Sequence, residues 1–445
     1  MTIWCDAKTA VQVVTSGNRV YLQGASSTPT PLIEALVACG EELQDVELLT
    51  ALPFGPASYT DPRWVGHFHV RTLFVGESER AAVNAGRASY APAFLSYIPT
   101  LFASGEPWPI DVAFIQVSPP DKHGYCSLGP SVELTRGAVD HARQVVALVN
   151  PRVPRTHGDS FVSVSRLDYA VQWDGPLHEV GQQAPDQAQQ EIGRHVSGLI
   201  EDGATLQLGI GAIPDAVLQT LIDRRDLGVH GEMFADGVLD LVERGVITGA
   251  RKTRDRGKMV ASFVVGSRRL MDFLDDNPMV ELRPTTYTND PQIIRQFDHM
   301  VAINSALEMD LTGQVCAESI GTSQYSGVGG QMDFMRGAAL ARHGRPILAL
   351  SATARALKTS RETLPHPYGL TPVEGQISRI VPILTPGAAV TTTRAHVHYV
   401  VTEYGTAMLL GRSLAERARS LIAIAAPQFR EPLERAAYDL HLLYR

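Results

Sequence analysis

The chain has 445 residues, of which 44% are hydrophobic and 19% charged, and its formal net charge is −8. An acidic chain without a dense run of lysine and arginine argues against a nucleic-acid partner. This length favours two domains. The amino terminus lacks the regions of a signal peptide, and no apolar run reaches the roughly 18 residues that a membrane helix needs. We therefore expect a cytoplasmic protein with no membrane contact.

The first half of the chain opens with a pattern typical of a βαβ unit. It comprises a strand, a loop of small residues, a helix and a second strand, at residues 19–23, 24–29, 31 to about 42, and 46–49. Residues 145–149 (VVALV) form a continuous apolar run, which suits a parallel strand buried on both faces.

A polar stretch at residues 181–187 reads as a linker between two halves. A helix follows, with Ile192, Val196, Leu199 and Ile200 on one face, and then a strand at 205–210, a turn, and a helix opened by Pro214. This order repeats the start of the first half. We predict an α/β protein of two related open domains with mostly parallel sheets, residues 1–184 and 185–445.

Two glycine loops are candidate binding segments. In LQLGIGAIPDAV (206–217), a Gly-x-Gly turn lets a ligand approach the backbone before a helix N-terminus, but a tight turn without ligand explains it equally well. In SGVGGQMDFMRGA (326–338), the exposed amides are of the kind that builds oxyanion holes and anion nests. A flexible turn is the alternative.

The remaining candidates are His123 and Glu232. His123 follows Pro-Pro in VSPPDKHGYCSLG (117–129), and an ordinary loop histidine is the better interpretation, because no GxSxG segment supports a triad. Glu232 lies in VHGEMFADGVLDLVERGVITG (229–249), at the end of an apparent buried strand before a turn. It could attack an acyl carbon as a nucleophile or cap the next helix, a role for which Asp236 is better placed.

The four cysteines, Cys5, Cys39, Cys126 and Cys316, are scattered without metal-binding spacing. They predict free thiols. No HExxH segment or other ligand cluster is present, so we expect no metal.

Taken together, these segments resemble the acetyl-CoA hydrolase/transferase family, in particular its 4-hydroxybutyrate and butyrate CoA-transferase branch. The resemblance covers nearly the whole chain. Further matching segments are GRASYAPAFLSYIPTLF (86–102), NPRVPRTHGDSF (150–161), DNPMVELRP (276–284), INSALEMDLTGQV (303–315) and VHYVVTEYGTAMLLGRSLAERARSLIAIAAPQF (397–429). The resemblance implies domains of the NagB/RpiA/CoA-transferase-like type.

The resemblance also implies site residues. The family's catalytic glutamate matches Glu232, in a motif where Ala235 replaces the usual serine. The residues that match the family's substrate and CoA site are Gln207, Gly209, Gly211, Asn304, Gly327, Gly329, Gly330 and Gln331. The implied reaction is ping-pong transfer of CoA between an acyl-CoA and a small carboxylic acid, through a glutamyl-CoA thioester. It needs no bound cofactor, with coenzyme A entering only as acyl-CoA substrate. A homo-oligomer, dimer or tetramer, is expected.

Two departures from the family leave the acid undetermined. Residues 408–413 (MLLGRS) replace a DLRGKS-like segment, and the segment between Ser351 and Ser378 is expanded and carries Lys358, Arg361 and His366. That segment is either a surface loop or a cover that pairs with a second carboxylate. The acid is therefore a monocarboxylate such as 4-hydroxybutyrate, butyrate or acetate, or a dicarboxylate such as succinate or itaconate. A hydrolase that uses the same glutamate and a non-enzymatic ligand sensor are the competing functions.

Overall fold

The computed structural model describes residues 1–182, 184–356 and 368–444. The chain divides into two compact units. The first comprises residues 1–181, 230–236 and 258–290, and the second comprises residues 182–229, 237–257 and 291–445.

Residues 1–181 of the first unit contain eleven strands and four α-helices in the described chain. The strands are β1 (Ile3–Trp4), β2 (Arg19–Leu22), β3 (Val46–Thr50), β4 (Phe68–Thr72), β5 (Ala88–Tyr90), β6 (Val112–Val117), β7 (Tyr125–Ser127), β8 (Gln144–Val149), β9 (His157–Gly158), β10 (Phe161–Ser163) and β11 (Tyr169–Gln172). The helices are α1 (Ala7–Ala10), α2 (Thr30–Ala38), α3 (Glu77–Asn84) and α4 (Thr135–His141).

These strands build a parallel sheet of eight strands in the order β1-β11-β8-β6-β2-β3-β4-β5. Its centre is apolar because helices cover such sheets on both faces; all six residues of β6 are buried. The predicted strands at 19–23, 46–49 and 145–149 are confirmed within a residue. The predicted helix after residue 31 ends earlier, at Ala38. A short 3₁₀ turn follows, where a Cβ on Gly40 would meet the Trp64 ring at 2.7 Å.

After residue 181, successive segments of the chain belong alternately to the second and the first unit. Its elements are α5 (Gln187–Ser197), β12 (Thr205–Leu208), α6 (Ala212–Gln219), β13 (Gly228–Val229), β14 (Met233–Phe234), α7 (Gly237–Glu243), β15 (Met259–Ala261), β16 (Phe263–Val264), α8 (Arg268–Leu274), β17 (Val280–Leu282), α9 (Thr285–Thr288), α10 (Pro291–Ile294), β18 (Met300–Asn304), β19 (Glu308–Asp310), β20 (Val315–Cys316), β21 (Ser319–Ile320), β22 (Ser323–Gln324), α11 (Gln331–Leu340), β23 (Arg345–Ala349), β24 (Thr353–Arg355), β25 (Gln376–Ser378), β26 (Ile380–Val381), β27 (Tyr399–Thr402), β28 (Gly405–Met408), α12 (Leu414–Ala423) and α13 (Pro427–Asp439).

The second unit has its own mostly parallel sheet. Strands β13, β12, β18, β23 and β27 are parallel neighbours in that order, and β28 pairs antiparallel with β27. Strand β12, the turn at Gly211 and helix α6 confirm the predicted strand–turn–helix order, although β12 ends at Leu208, before the predicted residue 210. The predicted helix face around Ile192 belongs to α5, which stops at Ser197, so Leu199 and Ile200 lie beyond it.

Two segments group with the first unit although they follow residue 185. Strand β17 pairs with β9 and β15, and the backbone N–H of Val264 donates to Pro130 O at 2.8 Å. The predicted domain boundary, between residues 184 and 185, assigns these segments to the second domain. In the structure, residues 230–236 and 258–290 group with the first compact unit. The Glu232 segment is therefore part of the first unit.

The four cysteines are free thiols, as predicted. In the described part of the chain, no helix is long and apolar enough to cross a membrane. Among those same residues, no three His, Cys, Asp or Glu side chains are grouped to hold a metal ion.

Candidate active site

The backbone around Glu232 is held on both sides by residues of the first unit. Gly231 N–H donates to Val260 O at 3.0 Å, and the Glu232 carbonyl accepts from the N–H groups of Ser262 and Phe263 at 2.8 and 3.1 Å. The Ser262 hydroxyl donates to the same carbonyl at 2.7 Å. Glu232 therefore lies in a bend directly before β14, and not in a strand end that leads straight into a turn as the sequence suggested.

The Glu232 side chain is half-buried and is oriented by an amide. Asn289 Nδ2 donates to Glu232 Oε2 at 3.2 Å, and Asn289 is fully buried. The Thr288 hydroxyl donates to Asn289 Oδ1 at 2.8 Å, which fixes the amide so that its nitrogen faces the carboxylate. The Asn289 amide is itself uncharged, so this contact positions the Glu232 carboxylate by a hydrogen bond and not by an ion pair.

The Asp236 carboxylate, unlike that of Glu232, binds a neighbouring segment of the first unit. Its carboxylate accepts from Ser267 N–H at 2.8 Å and from the Ser267 hydroxyl. Ser267 precedes helix α8. Asp236 thus holds the segment before α8, and no capping bond from it to the following helix α7 is seen among the described residues, while the Glu232 carboxylate lines a cavity.

The cavity beside Glu232 has a volume of about 50 Å³ and lies wholly within the first unit. It is lined by Ala25, Ala51, Leu52, Phe74, Leu95, Glu133, Leu134, Glu232 and Phe263. Larger clefts exist in this unit, such as one of about 280 Å³ beside Arg152 and Arg268, but Glu232 does not line it. We assign the site by its chemistry rather than by size.

The cavity walls follow the ends of parallel strands. Ala25 comes after β2, Leu52 after β3, and Phe74 after β4. In open α/β sheets, ligands bind at this carboxyl edge. Ala25 and Leu52 have φ values of 52° and 50°, in the left-handed region that non-glycine residues rarely adopt. Such strained backbone clusters at functional sites.

A second carboxyl group, Glu133, also lines the cavity. Its side chain is buried, and burial together with the charge of Glu232 raises its pKa well above the ordinary value. Its Oε2 has no hydrogen-bond partner among the described residues, and its Oε1 lies 3.5 Å from the Thr135 hydroxyl. The geometry therefore places two carboxyl groups, those of Glu133 and Glu232, on one small cavity.

The other predicted site residues lie in the second unit, at the carboxyl edge of its sheet. Gln207 is in β12 and Asn304 ends β18, and Asn304 Nδ2 donates to Gln207 Oε1 at 3.0 Å. Gly209 and Gly211 follow β12 and precede α6. Cβ atoms built on them would meet no described atom within 4 Å, so protein packing does not require glycine there, although Gly211 has a φ of 110°.

The second glycine loop precedes helix α11. Gly330 is its N-cap residue and Gln331 its first residue, and Gly329 has a φ of 55°. Gly327 is buried in the same loop. Since α11 connects parallel strands β18 and β23, its N-terminus lies at the same sheet edge as Gln207 and Asn304. Gln331 Nε2 donates to the Thr392 hydroxyl at 3.1 Å.

His123 and the expanded segment between Ser351 and Ser378 were also singled out in the sequence. His123 is an exposed loop residue. The ends of the expanded segment form an antiparallel ribbon, in which β24 pairs with β25. Lys358, Arg361 and His366 lie outside the described residues.

Asn289 and Glu133 were not found from the sequence. Each stands in a run that folding buries: Glu133 lies between Val132 and Leu134, and Asn289 follows Thr288, all of which are buried. A charged residue between two apolar ones is a weak signal, because such residues usually face solvent on one side of an element.

Comparisons with known proteins identify the family of this chain. Residues 4–176 match the acetyl-CoA hydrolase/transferase N-terminal domain, and residues 266–437 match the acetyl-CoA hydrolase/transferase C-terminal domain. The chain is 47% identical over 427 residues to the 4-hydroxybutyrate coenzyme A transferase of Clostridium kluyveri, covering 96% of this chain and 95% of that protein.

Two further similarities extend over nearly the whole chain. The succinyl-CoA:acetate/propanoyl-CoA:succinate CoA transferase of Fasciola hepatica is 46% identical over 428 residues, covering 95% of this chain and 85% of that protein. The crystal structure of RipA from Yersinia pestis superposes with a TM-score of 0.91 at 33% identity, covering 99% of this chain and 98% of that one.

The two mostly parallel sheets and these similarities define an α/β enzyme of the CoA-transferase class. The chain belongs to the acetyl-CoA hydrolase/transferase family. The fold class, the family and the enzyme class predicted from the sequence are confirmed, and the non-enzymatic sensor is set aside.

Proposed function

We propose that the enzyme transfers CoA between an acyl-CoA and a small monocarboxylic acid by a ping-pong reaction at Glu232. The observation that carries this proposal is the position of the Glu232 carboxylate, half-buried on an apolar cavity and held by the neutral Asn289 amide. Removal from water strengthens a carboxylate as a nucleophile, and apolar walls keep water from the reactive intermediates.

The reaction proceeds in balanced steps. A Glu232 oxygen attacks the thioester carbonyl carbon, the C–S bond breaks, and CoA leaves as the thiolate. The resulting mixed anhydride is attacked by the thiolate at the glutamyl carbonyl carbon. The anhydride C–O bond breaks, the first acid leaves as a carboxylate, and CoA remains on Glu232 as a thioester. A second acid then runs these steps backwards. No proton is consumed, and the thioester energy is retained.

The carboxyl edge of the second unit's sheet is proposed as the site that binds the CoA ester. Gln207 and Asn304 are paired there. The segments after β12 and before α11 contribute Gly209, Gly211, Gly327, Gly329, Gly330 and Gln331. Open space at Gly209 and Gly211 supports this role, because it leaves room for a ligand close to the backbone.

The cavity lining supports a monocarboxylate. Nine described residues line the cavity; two are carboxyl residues and the other seven are apolar, so the described part of the lining has no cation. The second carboxylate of succinate or itaconate would enter without a counter-ion, which is costly in an apolar site. Acetate, butyrate and 4-hydroxybutyrate bring one carboxylate each. An acceptor screen, with one acyl-CoA donor and product acyl-CoA measured by mass spectrometry, tests this choice; preferred transfer to succinate or itaconate contradicts it.

Trapping of the thioester tests the role of Glu232. Wild-type enzyme incubated with butyryl-CoA and no acceptor acid is expected to carry CoA on Glu232. Borohydride reduces that thioester to an alcohol, which peptide mass spectrometry locates. Glu232→Gln keeps the size of the side chain but loses the anion, so it should form no adduct and lose at least about a thousandfold in transfer rate.

Glu41→Gln is the matched control, because Glu41 is exposed in the same unit. Its adduct and rate should equal those of the wild type. An adduct on another residue, or normal transfer by Glu232→Gln, contradicts the proposal. Free CoA released equally fast with and without acid would instead identify a hydrolase that uses the same glutamate.

Light scattering tests the expected dimer or tetramer.

A further inference from the structure

Glu133 has a fixed backbone and a side chain with unused hydrogen-bonding capacity. Its N–H donates to Ser262 O at 3.1 Å, and its carbonyl accepts from Thr285 N–H at 3.1 Å. The residue is 8% exposed, and Oε2 has no partner among the described residues. Buried polar atoms are normally paired, so an unpartnered carboxyl oxygen at a cavity wall points to a ligand.

The ionisation state of Glu133 follows from its surroundings. Among the described residues, two titratable groups face it: Glu232, from the segment before β14, and Tyr21, from β2. The Tyr21 hydroxyl lies 2.9 Å from that of Thr135. Ser262 and Thr285 meet Glu133 through their main chains. In the described part of the chain no cation faces Glu133 from these elements, so burial and the Glu232 charge both favour the neutral carboxyl.

The reaction moves one negative charge within this cavity. Before the reaction the charge is on Glu232, and in the enzyme–CoA thioester it is on the free acid. Among the described lining residues, the seven apolar side chains cannot donate a hydrogen bond, and the Glu232 carboxyl group is then a thioester. In this described lining, a protonated Glu133 is therefore the side chain that can donate to the acid. An ionised Glu133 would repel it.

We propose that Glu133 is held as a neutral carboxylic acid and that its Oε2–H donates a hydrogen bond to the free carboxylate of the acid substrate. Glu133 is thus an acid-binding residue. This inference rests on the proposed function, because it takes the enzyme–CoA thioester as the state that binds the acid.

The test measures that half-reaction alone. Wild-type enzyme and two variants are loaded with butyryl-CoA, freed of butyrate, and mixed with increasing acetate, and the rate of acetyl-CoA formation is recorded. Glu133→Met has a similar size and no donor, so the acetate concentration for half-maximal rate should rise about tenfold. Glu133→Gln keeps a neutral donor and should remain within about threefold of the wild type.

The pH dependence separates hydrogen-bond donation from a structural role. Wild-type affinity for acetate should fall at alkaline pH as Glu133 ionises, and Glu133→Gln should lack this fall. The inference is overturned if Glu133→Met binds acetate like the wild type, or if Glu133→Gln keeps the wild-type alkaline fall. If Glu133→Met does not fold, the Glu133→Gln profile decides alone. A wild-type enzyme that forms no thioester on Glu232 overturns the proposed function, and this inference with it.

Discussion

The two candidate binding regions are built from different parts of the chain. In the first unit, the cavity beside Glu232 is made of side chains: two carboxyl groups, an amide behind one of them, and apolar walls. In the second unit, the turn at the sheet edge carries Gly209 and Gly211, where added Cβ atoms would meet no described atom within 4 Å, and a further glycine, Gly330, is the N-cap residue of helix α11. A nucleophile requires one side chain held in place, whereas recognition of a large ligand such as CoA can use exposed amides.

This contrast predicts opposite sensitivities. At the Glu232 cavity of the first unit, activity should fall when a side chain is shortened or loses its hydrogen-bond partner. At the glycine turn of the second unit, binding should weaken when a side chain is added.

Among the substitutions that test this contrast, the largest effect is expected for Glu232→Asp, which keeps a carboxyl group and withdraws it by one methylene. Misplacement of about 1 Å can reduce a rate on the order of a hundredfold, so kcat should fall by about that factor with folding unchanged. Stopped-flow measurement of CoA thioester formation checks this. A full rate in this variant would show that the position of the side chain does not matter, and the contrast with the second unit would fail.

A smaller loss is expected for Asn289→Leu, which removes the hydrogen bond to Glu232 Oε2. A hydrogen bond to a charged group is worth about 1.5 kcal/mol or more, so kcat should fall about tenfold. Asn84→Leu, on helix α3 of the same unit, is the control and should leave kcat unchanged. Steady-state kinetics beside a thermal unfolding curve separate a lost contact from a lost fold; an unchanged kcat for Asn289→Leu would remove this residue from the site.

The second region is tested by Gly209→Ala. The added methyl group meets no described protein atom within 4 Å, and Gly209 does not need a left-handed backbone. Stability should not change, while KM for acyl-CoA should rise about fivefold, since roughly 1 kcal/mol of binding is lost. Gly181→Ala, which also adds a methyl group in open space, should alter neither quantity. An unaffected KM in Gly209→Ala would argue that no ligand approaches this turn.

The smallest effect concerns the stability linked to Glu133. Its raised pKa means that the folded protein holds this proton more tightly than the unfolded chain does. Stability therefore declines as pH rises from the ordinary carboxyl value of 4.5 towards the raised pKa. Glu133→Gln has no proton to lose, so it should unfold at a higher temperature than the wild type at pH 8, by roughly 2–4 °C.

Below pH 4.5 the difference in unfolding temperature between Glu133→Gln and the wild type should disappear, since Glu133 is then protonated in both the folded and the unfolded wild-type chain. Thermal unfolding at several pH values checks it, with Glu41→Gln as the exposed control. A gap that is the same at every pH would show that Glu133 is not held neutral by the fold.

The sequence by itself predicted much of the fold. Runs such as VVALV identified buried parallel strands, because a strand covered on both faces needs continuous apolar residues. The glycine turns before α6 and α11 were also visible, since glycine stands out where a strand turns into a helix. Glu232 was identified through its motif, and its chemical role followed from the resemblance to a family.

The tertiary structure alone decided which residues surround Glu232. Asn289 is 57 positions away in the chain, and Glu133 comes from the end of a different loop. Parallel strands bring together residues that follow their carboxyl ends, whatever their separation in sequence. No local sequence pattern predicts the register of those strands. None predicts the grouping of residues 230–236 and 258–290 with the first unit. Both follow from long-range hydrogen bonds, such as those of Ser262 to Glu232 and Glu133, which only the folded chain can form.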